Sequence, residues 1–131
     1  MIIPVTFGWP SADLSPNARV HWAVLARAKK KARMEGHFSA RIALKRQGYG
    51  LANPYQLPQS ELSVSAQVTF YPPNLVRRDV DNFIARIKPH LDGIADAIGA
   101  DDSKWTWAAP VMAAPQKPAR VVVTLTVEAA S

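Results

Sequence analysis

Residues 62–70, LSVSAQVTF, alternate strictly between apolar and polar side chains. Because successive side chains of a strand point to opposite faces of a sheet, this period of two predicts a strand with one buried face. Residues 121–127, VVVTLTV, are apolar at every second position from Val121 and predict another strand of the same kind. Residues 1–9 predict a further strand that ends at Gly8-Trp9-Pro10. We therefore expect a sheet with one apolar face to form the core.

The longest predicted helix lies between residues 15 and 47. Ser15-Pro16 is a typical helix start, because serine caps free backbone N–H groups and proline suits the first helical position. Apolar residues then recur at roughly helical spacing: Val20, Val24, Ala28, Ala32, Phe38 and Ile42. Gly36 interrupts this pattern, and we expect a break in the helix there.

A second helix is predicted over about residues 80–98 from its helical spacing of apolar residues. Pro89 is expected to kink or divide it, since proline lacks the N–H that a helix interior uses, and Gly99 is expected to cap its end. Residues 48–60 have the composition of a loop, and residues 104–113 predict a less regular strand. This order of elements predicts an α/β (α+β) fold with a small mixed or antiparallel sheet and two main helices.

Length and composition allow one globular domain and exclude several classes of function. The chain has 131 residues, of which 48% are hydrophobic and 20% charged, as is ordinary for one folded domain. It contains no cysteine, which excludes disulfides and thiol catalysis, and its three histidines lack the i, i+4 spacing of a histidine metal site. No apolar run is long enough to span a membrane, and the first residues lack the basic start of a secretory signal. We expect a single domain over residues 1–131 that acts inside the cell.

The charge of the chain indicates a polyanionic partner. Sixteen Lys and Arg against ten Asp and Glu give a net charge of +6, which is typical of small nucleic-acid-binding domains but also occurs on a merely solubilising surface. The two signs are segregated, because residues 19–46 hold nine basic residues and one acid, whereas six of the ten acids fall between residues 79 and 102. Clustered carboxylates repel each other unless a cation lies among them.

The acidic residues form two pairs that flank the second helix. Asp79 and Asp81 are two positions apart in an extended turn, so both carboxylates are able to reach one point. The pair Asp101-Asp102 lies beyond the helix and meets the first pair only if Pro89 bends the segment or the chain returns. Three or four carboxylates together suit Mg²⁺ or Mn²⁺. The structural alternative is that the first pair caps the helix and the second forms a turn.

Cationic residues accompany these acids. Arg77 and Arg78 directly precede the first pair and are suited to holding phosphates. In one continuous helix, Asp81, Lys88 and Asp92 share a face, since their spacings are seven and four. Lys88 is then a candidate for contacting the scissile phosphate or the attacking water. The alternative is a surface ion pair between Lys88 and Asp92.

The combined pattern resembles the RusA family of Holliday junction resolvases, which are common in phages and prophages. The resemblance rests on Arg78-Asp79-Val80-Asp81-Asn82, then Lys88-Pro89-His90-Leu91-Asp92-Gly93-Ile94, then Asp101-Asp102. Gly8-Trp9-Pro10-Ser11 and Ser15-Pro16-Asn17-Ala18-Arg19 are also similar to the family's opening strand and turn. The resemblance implies a homodimeric, Mg²⁺-dependent endodeoxyribonuclease with a single RusA-like α/β domain. Such an enzyme resolves four-way DNA junctions by paired symmetric nicks in DNA recombination and repair.

The resemblance also implies roles for individual residues. It implies that Asp79, Asp81 and Asp102 bind the metal and, with Lys88, carry out catalysis, and that Asp101 is a further ligand. Mn²⁺ is expected to substitute for Mg²⁺. DNA contacts are expected from the following residues: Arg77, Arg78, Asn82, Arg19, Lys30 and Lys31. The chain departs from the family in one spacing, because six positions rather than three separate Asn82 from Lys88. The extra three residues are nearly one helical turn, so a continuous helix recovers the same face.

Two other functions stay open. One is a non-catalytic basic nucleic-acid-binding module whose acids only cap helices and turns. The other is a metal-dependent nuclease that uses the same site on other branched DNA or on RNA. For all three, the expected location is the cytoplasm of a bacterium or of a phage-infected host, with no membrane partner.

Overall fold

The computed structural model of the chain describes residues 2–48, 62–99 and 102–129. The strands are β1 (Ile2–Gly8), β2 (Leu62–Tyr71), β3 (Thr106–Trp107), β4 (Val111–Met112) and β5 (Arg120–Ala129). The helices are α1 (Trp22–Arg46), α2 (Val80–Arg86) and α3 (Lys88–Ile98), and Ala12–Leu14 and Asp102–Lys104 form single 3-10 turns. This arrangement confirms the predicted α/β class in one small domain.

The strands form one mixed sheet in the order β1-β5-β2-β3, and β4 also pairs with β2. β5 is antiparallel to both β1 and β2, whereas β3 and β4 run parallel to β2. In the register of β2 and β5, Val64 lies opposite Val127 and Phe70 lies opposite Val121. These apolar pairs all point to one face, as the alternation in residues 62–70 and 121–127 predicted.

The helices cover this apolar face and leave the other face to solvent. The side chains of Phe70 and Leu125 are fully buried in one apolar core with Ile94 and Ile98 of α3. Alternate residues of β2, such as Ser65 and Gln67, are exposed on the opposite face. All helical side chains that could form a site therefore lie on one side of the sheet.

A pair of glycines joins α1 to α3, and the predicted break at Gly36 is wrong. α1 runs unbroken through Gly36, where an added Cβ would lie 2.1 Å from the backbone oxygen of His90. On α3, a Cβ at Gly93 would lie 1.9 Å from the backbone oxygen of Arg33. Both positions need glycine because the two backbones touch there. Gly36 therefore allows α1 to pack closely on α3 and does not end the helix.

The buried face of α1 consists of small side chains along most of its length, and Leu44 is the large apolar residue buried near its end. Ala32, Ala40 and Ala43 are buried, whereas Phe38 and Ile42 are about half exposed. The apolar spacing predicted the helix correctly but did not predict its inward face. Small residues lie inward because α1 packs so closely on α3.

The predicted start of the first helix is also wrong. Ser15 and Pro16 lie in a turn closed by the N–H of Ala18, which donates to the backbone oxygen of Ser15 at 3.0 Å. The helix begins at Trp22, where the side chain of His21 accepts the N–H of Ala23. Proline has the same backbone angle at the second position of a turn and at the first position of a helix, so both readings fit. The predicted end near residue 47 is correct.

The second predicted helix is divided as expected from Pro89. α2 ends at Arg86, Ile87 separates the two helices, and α3 begins at Lys88. Gly99 caps α3 with a left-handed φ of 73°. The single strand expected over residues 104–113 is instead two short strands, β3 and β4. Of the predicted loop 48–60, residues 49–60 lie outside the described part of the chain.

Candidate active site

Lys88 lies at the centre of a cluster of charges at the start of α3. Its ammonium donates to Oδ1 of Asp92 at 3.0 Å, one turn along the same helix, and to Oδ2 of Asp102. Asp102 follows Gly99 by three residues and is 8% exposed. Because Gly99 reverses the chain, the acid beyond the end of α3 returns to the lysine at its beginning. The structure thus brings together two predicted site residues, Lys88 and Asp102.

The surroundings of Lys88 keep it positively charged. Partial burial lowers the pKa of the Lys88 ammonium, whereas hydrogen bonds and charge from Asp102 and Asp92 raise it. Together the two acids outweigh burial, so the net pKa is above its ordinary value. The group therefore acts as a cation and a hydrogen-bond donor near neutral pH, and not as a base. Its side chain is 56% exposed, which leaves it accessible to an anion from solvent.

A basic groove runs between α1 and α3 beside this cluster. It has a volume of about 540 Å³ and is lined in part by Lys29, Lys30, Arg33, Lys88 and Asp92. Arg33 is held in a two-point ion pair by Asp96 on α3, at 2.8 and 3.0 Å, where the acid neutralises it. No acid among the described residues lies within 4.0 Å of either Lys29 or Lys30. Next to Lys88, the groove therefore presents two ammonium groups that no acid of the described residues neutralises.

The first acidic pair begins α2. The carboxylate of Asp79 accepts the backbone N–H of Asp81 at 3.0 Å, which is the capping role weighed as an alternative to metal binding. Asp81 is exposed in the first turn, where a negative charge favours the helix. Within residues 2–48, 62–99 and 102–129, no ion pair joins Lys88 to Asp81. The predicted helix is divided at Ile87, so Asp81 lies on α2 and Lys88 on α3.

The predicted metal ligands are not gathered in the described residues. In those residues, no three His, Asp or Glu side chains lie close enough together to share a metal ion. Asp79 is used as a cap, and the ammonium of Lys88 already neutralises Asp102. Asp101 lies outside the described residues. The metal roles of Asp79, Asp81, Asp101 and Asp102 therefore stay predictions.

The residues predicted to contact DNA divide into occupied and exposed groups. Arg78 donates to the backbone oxygens of Asn74 and Val76, and its guanidinium lies 5.4 Å from the ring of Trp9. The amide of Asn82 contacts the hydroxyl of Ser15 and so ties α2 to the turn before α1. The following predicted residues are exposed: Arg19, Lys30, Lys31 and Arg77. Lys30 lines the basic groove with Lys29, which was not predicted individually.

His90 is a buried titratable residue that was not among the predicted site residues. It is 3% exposed, its ring stacks on Phe7 at 4.2 Å, and its Nε2 lies 3.3 Å from Oε1 of Glu35. Burial lowers the pKa of His90 to about 4, so the ring is neutral at pH 7. Solvent screens Glu35, which is partly exposed, so burial dominates over its charge. No metal-ligand spacing in the sequence marks this position.

Comparison with known proteins finds a relative that matches most of the chain. An uncharacterized protein of Xylella fastidiosa (strain Temecula1) is 41% identical over 123 residues, which is 93% of this chain and 74% of that protein. No family model matches the chain. In the described part of the structure, no helix combines the length and hydropathy needed to cross a bilayer.

Proposed function

This chain belongs to the same family as the Xylella fastidiosa protein, and we propose that it is a structure-specific endodeoxyribonuclease that resolves four-way DNA junctions by paired nicks. The observation that supports this proposal is the charge cluster in the basic groove. A lysine held between Asp92 and Asp102 adjoins two lysines that have no ion-pair partner in the described residues. The resemblance to RusA resolvases in the sequence supplies the substrate and the reaction.

The groove is suited to a phosphodiester. Lys29 and Lys30 attract a backbone phosphate, and the exposed ammonium of Lys88 is able to donate to its non-bridging oxygens. Because its pKa is raised, Lys88 keeps its charge and stabilises the extra negative charge that develops during cleavage. Asp102, buried and bonded to Lys88, positions the ammonium. These contacts read charge and shape and not base sequence.

The proposed enzyme acts as a homodimer with a divalent metal ion. A four-way junction has approximate two-fold symmetry, so a homodimer would present one site to each of two opposing strands. The predicted requirement for Mg²⁺, with Mn²⁺ as a substitute, is tested by adding EDTA. We propose the cytoplasm of a bacterium or of a phage-infected host as the site of action.

The decisive experiment is cleavage of a labelled synthetic four-way junction, with linear duplex and single-stranded DNA as controls. We expect paired, symmetric nicks in the junction with Mg²⁺ and none with EDTA. A protein that binds the junction but does not cut it with Mg²⁺ or Mn²⁺ would contradict the proposal. Cleavage of flaps or RNA in preference to the junction would instead indicate a metal-dependent nuclease of other specificity.

A second candidate is a basic nucleic-acid-binding module without catalysis. It is favoured by the structural roles of two predicted ligands, because Asp79 caps α2 and Asp102 pairs with Lys88. In this function, the basic groove binds phosphates and the acids only stabilise the fold. Salt-dependent binding without cleavage of any branched substrate would support it.

A further inference from the structure

A second cleft, here called the N-terminal cleft, lies between the first half of α1 and the segment that joins β1 to α1. It has a volume of about 400 Å³, which is within the range of small-ligand pockets. Arg27, Lys31 and Glu35 line one side, Trp9 and Asp13 line the other, and His90 closes it at the α3 side. Neither the proposed cleavage nor the basic groove uses this cleft.

The charges on the α1 side are arranged in a line. Arg27, Lys31 and Glu35 are spaced by four residues, so they share one face and are each about 5–6 Å apart along the axis. Arg27 and Lys31 are exposed, and no acid of the described residues lies within 4.0 Å of either. Glu35, beside His90, forms the opposite end. The α1 side of the cleft thus offers two cations at one end and a carboxylate acceptor at the other, and Asp13 adds a second carboxylate on the facing side.

Trp9 connects this cleft to the start of α2. Its indole packs against Phe83 at 5.1 Å, and the guanidinium of Arg78 lies 5.4 Å from its ring. Arg78 directly precedes Asp79, the cap of α2. A DNA strand that passes the start of α2 is therefore separated from the cleft only by the ring of Trp9.

We propose that the N-terminal cleft binds one unstacked nucleotide of the DNA strand. Arg27 and Lys31 hold its phosphate, and Glu35 accepts a hydrogen bond from an exocyclic amino group of its base. Adenine carries such a group, whereas thymine presents a single N–H between two carbonyl oxygens that the carboxylate repels. The inference rests on the proposed function in taking DNA as the substrate, and it adds a base preference that the basic groove does not provide.

The test is an NMR titration of the isotope-labelled chain with dAMP and with dTMP. We expect amide shifts in residues 9–14 and 24–35, and binding of dAMP about fivefold tighter than dTMP. The double variant Arg27→Gln and Lys31→Gln should weaken dAMP binding about tenfold. The matched control, Lys45→Gln with Arg46→Gln, removes two exposed charges from the far end of α1 and should change it by less than about twofold.

Glu35→Gln should abolish the preference for dAMP over dTMP. Absence of amide shifts in the cleft, or an equal loss of affinity in both double variants, would overturn the proposal. Junction cleavage without dAMP binding in the cleft would remove this inference and leave the nuclease proposal intact. Binding of dAMP in the cleft without cleavage of any junction would support the cleft proposal and contradict the nuclease proposal.

Discussion

Acidification is expected to destabilise the fold through His90. Burial lowers the pKa of His90 to about 4 from its ordinary 6.5, so the folded chain keeps this ring neutral where the unfolded chain protonates it. Between these two values, the unfolded state binds more protons, and stability falls as the pH falls. One pKa unit corresponds to about 1.4 kcal/mol. A difference of about 2.5 units therefore removes about 3 kcal/mol of stability between pH 7 and pH 4.

The measurement is the free energy of unfolding by urea at a series of pH values, for the wild type and for His90→Phe. Phenylalanine keeps the ring stacked on Phe7 but cannot take up a proton. Carboxylates titrate in both proteins, so the difference between the two curves isolates His90. We expect the wild type to lose about 3 kcal/mol more than the variant between pH 7 and pH 4. Equal pH dependence in both proteins would refute the reasoning, as would an imidazole resonance of folded His90 that titrates near pH 6.5.

Three further substitutions test the site and the fold. Asp81→Asn should abolish junction cleavage, because it removes a predicted metal ligand. Junction binding should be kept or tightened, because one negative charge that repels phosphates is lost. Cleavage at the wild-type rate would contradict a role of Asp81 in the reaction. Lys88→Ala should slow single-turnover cleavage at least about 100-fold and lower stability by about 1 kcal/mol, since Asp102 loses its partner. An unchanged rate would leave Lys88 as a surface ion pair. Gly93→Ala should lower stability by roughly 3 kcal/mol because its Cβ meets the backbone of α1, whereas Gly8→Ala, whose Cβ would have no neighbour nearer than 4.0 Å, should be nearly neutral in urea unfolding.

The elements that the sequence predicted well are those that depend on local patterns. The alternation in residues 62–70 is a direct consequence of strand geometry, and Pro89 and Gly99 act on their own backbone. The errors concern signals with two physical meanings. Pro16 suits both a turn and a helix start, and Gly36 weakens a helix alone but permits contact with another helix. Only the packing of α1 on α3 distinguishes the two meanings of Gly36.

In the candidate site, too, local contacts were predicted from the sequence and contacts between remote residues were not. The Lys88–Asp92 contact is local and was predicted from a spacing of four residues. The contact of Lys88 with Asp102 depends on where the chain goes after Gly99, which spacing does not determine. His90 was missed because its burial arises from Phe7 and α1, both remote in sequence. The metal site and the junction substrate stay predictions.

The glycine contact between α1 and α3 has a mechanical consequence. Because backbone meets backbone at Gly36 and Gly93, α1 is unable to tilt or slide on α3 without losing these backbone contacts. The backbone positions that carry Lys29, Lys30 and Lys88 are thereby held at one spacing. A flexible polyanion that contacts both helices has to adopt that spacing itself, so the bending that accompanies binding is expected in the nucleic acid and not in the protein.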